Sequence, residues 1–365
     1  MLLSYLDFTP LLSPPTDLAE SAAVIGRASC GSGLTLRALA TLRADGEAIW
    51  VGADVFFGER ATVHIEDNAL AASVGNGVTV GRYAIVHACT VEDGVVVGDA
   101  AVVMDGAVVG ANALITAGSL VPPRKQLPGG WIYAGHPVAP VRAIAAGELA
   151  IAAASLRSDA PHPLVRDLDV PPPDITPFLP PGASGGTLYA RDGRAPRVAR
   201  AYVAPTAIVV GDVTLADDAG IYFGCAIVAG DGRIVIGERS NVQDNSLLIT
   251  DARRGELRIG VGVTIGHNVR MGAAIIGDDA LIGMASQLGD GVVVEAQGCV
   301  AARALVEPRT AIRSGWIWAG RPARAFRELK PAEREAFASA RDVYVNYGAA
   351  YRGRSLDDTA TVGPA

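Results

Sequence analysis

An aliphatic residue returns every six positions along two long runs of this chain. Val91, Val97, Val103, Val109, Ile115 and Val121 form one run; Ile276, Ile282, Leu288, Val294, Val300 and Val306 form the other. Chance periodicity in a Val-rich chain would not keep twelve aliphatics in phase. A period of six fits neither a helix, at about 3.6 residues per turn, nor a plain strand, at about 2, beyond a few residues. It fits a solenoid in which each hexad is one short strand and three hexads close a triangular coil. The aliphatic then points into the prism, and stacked coils bury a continuous core. Glycine follows in Val97-Gly98, Val109-Gly110, Ile276-Gly277, Ile282-Gly283 and Leu288-Gly289. A small residue there is expected to take up the backbone geometry of the corner.

A second repeat spans 185 residues: Val91 maps to Ile276, Trp131 to Trp316 and Gly135 to Gly320. GGWIYAGHPVAPVR answers SGWIWAGRPARAFR. Upstream the offset is 186, Asp45 mapping to Asp231, so half one carries one extra residue there. The expected organisation is an N-terminal arm (1–19), a first β-helix (20–140), a helix and Pro-rich linker (141–194), a second β-helix (195–325) and a C-terminal helix and tail (326–365). AIAAGELAIAAASLR and PAEREAFASARDVYVNYGAA are the helix-like segments. PHPLVRDLDVPPPDITPFLPPGASGG reads as extended linker.

Composition narrows the partners. The chain has 365 residues, half of them hydrophobic, with 43 glycines and only 5% aromatics, which suits short strands and tight turns. A net charge of −7 and a pI near 5.3, without a basic run, argue against nucleic-acid and anionic-membrane partners. Cys30, Cys89, Cys225 and Cys299 form no CxxC pair and read as small buried residues of a protein in a reducing compartment. The N-terminus lacks a basic region and carries Asp7, Pro10 and Pro14; it makes a poor signal peptide, and no long apolar run follows, so a cytoplasmic location is expected.

Half two carries IYFGCAIVAGDGRIVIGERSNVQDNSLLI, then VTIGHNVRMGAAIIGDDALIGMAS, then AGRPARAFREL. In these stretches the chain resembles the gamma-class carbonic anhydrases and related left-handed β-helix proteins. Hexad repeats alone are shared with acyltransferases, whereas the NxQD, GH and GxPA elements together are specific. The resemblance implies a metal, zinc or else iron(II) or cobalt, held by three histidines: one closing "SVIH" and two in "GHxxxxH". In half one these positions are His64, Arg82 and His87; in half two they are Ile249, His267 and Gly272.

Neither half has the triad, yet the family divides its ligands in the same way. The first and third come from one subunit and the second from the subunit facing it. A face of half one against half two would therefore carry His64, His87 and His267, a complete site. The reverse face would carry Arg82, Ile249 and Gly272 and hold no zinc. Six positions with three retained histidines allow twenty patterns, and only two complete one kind of face while emptying the other. The spacing points the same way. Five residues along a strand span about 16 Å, whereas two nitrogens on one zinc lie about 3.4 Å apart. Positions 82 and 87 of one prism therefore do not grip one ion. His136 and His162 read as ordinary polar residues of a turn and the linker.

Three ligands leave a position for water, which the ion would turn into hydroxide near neutral pH. By resemblance Gln243 hydrogen-bonds that water, with Asn241 beside it and Asp244 completing the element. Half one has Phe56, Gly58 and Glu59 there. Half one alone keeps the family's Arg/Asp pair, Arg43 and Asp45, either as a support of the site or as an ordinary interface salt bridge. Phe56, Phe57, Tyr83 and Met271 are candidates to line the pocket. Glu59, Glu66 and Asp67 are candidates to shuttle protons.

The expected function is a metal-dependent lyase like the carbonic anhydrases. It would act on carbon dioxide or a related small molecule, as a homo-oligomer with contacts between unlike halves. A hexapeptide-repeat acyltransferase, with His87 as its only plausible base, and a metal-free assembly scaffold are the alternatives.

Overall fold

The computed structural model describes residues 1–67, 69–167 and 187–353. The chain divides into two compact units, one up to Pro173 and the other Asp174–Gly353. Each is a left-handed parallel β-helix. Most of the proline-rich linker and the tail beyond 353 lie outside the described residues.

In the first unit the hexads become two- and three-residue strands that pair in parallel with the next coil. Val91 lies opposite Val109, Val97 opposite Ile115 and Val103 opposite Val121. Each step is eighteen residues, three hexads, as one triangular coil requires. All six aliphatics of this run are buried in one continuous core. A parallel strand covered on its inner face keeps its apolar side chains in register, so burial of each coil depends on the coil above and below. Two long strands, Ala23–Cys30 and Thr41–Val51, run through a corner. Thr41–Val51 pairs at one end with Thr62–His64 and at the other with Ala72–Val74, and so joins two faces into one sheet. Residues 1–19, expected as an arm, contribute strands Leu2–Leu3 and Leu11–Leu12, which pair with Ala23–Cys30, and Thr16–Leu18, which pairs with Leu34–Leu36.

The corners differ from the expectation. The left-handed backbone does not fall on the glycine after the aliphatic but two residues later, at Ala100 (φ 52°) and Asn112 (φ 56°). The glycine answers to a different constraint. A Cβ on Gly98 would lie 2.5 Å from the amide nitrogen of Ala117 in the next coil, and one on Gly110 equally close to that of Gly129. Coil stacking, not dihedral freedom, excludes a side chain there.

The second unit has three sheets, of seven, seven and eight strands. Its hexad run is buried throughout: Ile276, Ile282, Leu288, Val294, Val300 and Val306. Both helix-like segments fold as helices. The first, α1 (Glu148–Ser158), packs Ala152 and Leu156 against Val96, Leu114 and Ile132 of the first unit. The second, α2 (Pro331–Arg352), belongs to the second unit and starts at a capping box, in which Glu333 accepts from the Lys330 amide at 2.8 Å. Its far end rests on aromatic rings: Tyr344 lies edge-on to Tyr222, and Tyr351 stacks on Tyr202. Among the described residues no helix is long and apolar enough to cross a membrane. All four cysteines are free and buried.

Candidate metal centre

Coil length sets the site. Plain coils step by seventeen or eighteen residues, but Thr62 pairs with Ile85 twenty-three residues on. The extra residues form the loop after His64, which carries Glu66, exposed, and Asp67. With that loop spliced out, His64 and His87 face each other in register on adjacent parallel strands. Neighbouring strands lie about 4.8 Å apart, and same-face side chains on them touch. Here the rings are 5.2 Å apart between centroids, and His64 Nδ1 lies 3.1 Å from His87 Nε2.

Each ring is held from behind by a carboxylate. Asp45 Oδ1 lies 3.1 Å from His64 Nε2, and Asp105 Oδ1 lies 2.5 Å from His87 Nδ1. Asp45 turns its other oxygen to Arg43, and both members of that ion pair are fully buried. An ionised carboxylate only accepts, so the nitrogen it touches carries the proton. On that assignment the two nitrogens that face each other, Nδ1 of His64 and Nε2 of His87, both present lone pairs. Lone pairs 3.1 Å apart repel unless a cation sits between them.

In the second unit His267 occupies the corner between Thr264–Ile265 and Arg270–Met271, and is fully buried. Its Nδ1 lies 3.2 Å from Asp244 Oδ2, and the other oxygen of Asp244 accepts from the Phe223 amide at 2.9 Å. The rest of the NxQD element forms a chain: Gln243 donates to Asn241 Oδ1 at 3.2 Å, and Asn241 donates to Thr264 Oγ1 at 3.1 Å. Gln243 and Asn241 are both buried. His64 and His87 thus belong to the first unit and His267 to the second. Two imidazoles in register, each with one ring nitrogen on a carboxylate, are donors that suit zinc.

The chain matches relatives of known name. It is 34% identical to a carbonic anhydrase of Geobacillus kaustophilus over 180 residues, 47% of this chain and 95% of that protein. The chain belongs to the gamma-class carbonic anhydrase-like family. Gamma carbonic anhydrase 1, mitochondrial, of Arabidopsis thaliana is 38% identical over 156 residues, 41% of this chain. The chain spans 57% of that protein's length. No family model matches the chain. Among solved structures, a hexapeptide transferase family protein from Anaplasma phagocytophilum aligns with 45% of this chain and 98% of its own, at 32% identity and a TM-score of 0.44.

Arg82 lies 3.4 Å from the buried Asp99, which also meets Arg166 at 3.5 Å, so it fastens the segment after α1 to the coil. Burial pushes the Asp99 carboxyl above its ordinary value, and Arg166 and Arg82 pull it back. Of the expected pocket residues, Phe57 lies in the prism core and is no lining. Phe56 is buried, with Arg37 and Arg157 over its ring, and Tyr83 is buried below Arg60. Burial, helped by the charge of Asp105, pushes the Cys89 thiol well up, and Cys89 packs as a small core residue. Sequence reasoning missed Asp105; its signal is a position eighteen residues after His87, one plain coil further on.

Proposed function

We propose that the two halves share one metal site, with His64, His87 and His267 as ligands, and that the chain is a metal-dependent lyase acting on carbon dioxide or a related small molecule. The observation that carries the reading is the 3.1 Å approach of His64 Nδ1 to His87 Nε2, each ring backed by a carboxylate. This geometry suits a cation, with about 3.4 Å expected between two nitrogens on one zinc. When bound, zinc lowers the pKa of a coordinated water toward about 7 and so supplies hydroxide at neutral pH; iron(II) and cobalt suit the same donors.

The protein's own residues do the rest. Asp45 holds the ring of His64 in orientation, Asp244 lies beside that of His267, and Arg43 pairs with Asp45 in its buried position. Gln243, tethered through Asn241 to Thr264, orients the attacking water and excludes alternative hydrogen bonds. The two β-helix domains are proposed to span 20–140 and 195–325. The assembly is a homo-oligomer in which unlike halves face each other, since rings of one half alone offer two histidines or one per face. A cytoplasmic location is supported by four free thiols.

Metal analysis of purified protein together with a carbon dioxide hydration assay tests the reading. Bound metal with hydration activity supports it. Metal without hydration moves the substrate to another small molecule. No metal after purification with zinc or iron supplied overturns it, and acetyl-CoA binding in that case supports the acyltransferase alternative.

A further inference from the structure

We infer that Asp105 is a positioning residue that makes Nε2, and not Nδ1, the ligand atom of His87. The inference rests on the proposed metal reading and deepens it. Asp105 Oδ1 lies 2.5 Å from His87 Nδ1, with His87 side-chain exposure at 13% and that of Asp105 at 27%. The carboxylate accepts a hydrogen bond from Nδ1–H and so leaves the lone pair of Nε2 facing His64 Nδ1. Without it the neutral ring is free to carry its proton on Nε2, where it blocks ligation.

The other half supplies an internal comparison. Asp290 is the counterpart of Asp105, 185 residues on, and the histidine position before it is Gly272. There the carboxylate lies where a side chain at position 272 would stand. Asp290 Oδ1 accepts from the Ala273 amide at 3.1 Å, its other oxygen lies 3.9 Å from Arg254, and a Cβ on Gly272 would come within 1.9 Å of it. The same residue at the same place in the coil thus holds a histidine in one half and the backbone in the other.

The test uses the full chain with Asp105→Ala, Asp105→Asn and, as a control away from any histidine, Asp290→Asn. Zinc affinity is measured by competition with a chromophoric chelator. The His87 tautomer is read from long-range nitrogen–proton correlation spectra of the metal-free, histidine-labelled protein. The wild type is expected to carry the proton on Nδ1. Asp105→Ala should move it to Nε2 and weaken zinc binding by about 10–100-fold, the usual cost of losing such a partner. Asp105→Asn, whose amide both donates and accepts, should fall between, and Asp290→Asn should match wild type. An unchanged tautomer and affinity in Asp105→Ala overturn the inference. Should that variant not fold, Asp105→Asn carries both readouts. A wild type that binds no zinc overturns the metal reading instead, and the tautomer then decides the role of Asp105 alone.

Discussion

His64 and His87 stand opposite each other on adjacent parallel strands, twenty-three residues apart in sequence and 3.1 Å apart between ring nitrogens. Their counterparts in the second half, Ile249 and Gly272, present no nitrogen. The proposed shared site would then have one complete set of ligands per chain. Metal analysis should find about one ion per chain. Two tightly bound ions, or none with metal supplied, would contradict the shared site. Gly272→His alone should not raise the count, because Asp290 occupies the space a side chain needs there.

The three histidines should behave as one unit. His64→Ala, His87→Ala and His267→Ala should each abolish activity and weaken metal binding by more than the roughly 10–100-fold typical of outer partners. Double variants should be little worse than singles, because residues of one catalytic unit are not additive. His136→Ala and His162→Ala should stay near wild type. Full metal occupancy and activity in His267→Ala would sink the shared site, since His267 is the second half's only histidine.

Gln243→Ala should separate binding from turnover. The side chain hangs on Asn241 and touches no ring nitrogen in the hydrogen bonds described above. Metal content should therefore hold while turnover falls by about 10²-fold, the scale for one lost positioning group. Loss of the metal along with turnover would make Gln243 a structural residue instead.

Acid should loosen α2 through Glu333. Arg327 and then the Lys330 amide hold its carboxyl down at about 2, below its ordinary value of about 4.5. A depressed carboxylate contributes stability above its unfolded value and loses it as pH falls toward the folded one. Unfolding temperature should thus drop between about pH 4.5 and about pH 2, and Glu333→Gln should flatten that part of the profile. The pair is partly exposed, so the effect should be modest and should shrink with salt. An identical profile in Glu333→Gln would show that other carboxylates govern the acid limb.

Hexad phase alone determined the coil, because an aliphatic every six residues has one way to be buried on every coil. It placed all twelve run residues in the interiors, the 185-residue echo marked the second unit, and local composition marked both helices. The proposed ligand positions were also read from the sequence, since His64, His87 and His267 stand at fixed places in the motifs. What the tertiary structure decided was which side chains meet across coils. That depends on coil length, which loops change from eighteen to twenty-three residues without disturbing the hexad pattern. Hence Asp105, one plain coil beyond His87, escaped notice, as did the use of Arg82 to bind Asp99. The corner residues were misplaced for a related reason. Glycine after the aliphatic reads as a turn signal in one dimension, while its true constraint is the backbone of the next coil 2.5 Å from where a Cβ would stand. Local pattern governs burial along one strand; contact between coils is set by spacing along the stack, where distant residues become neighbours.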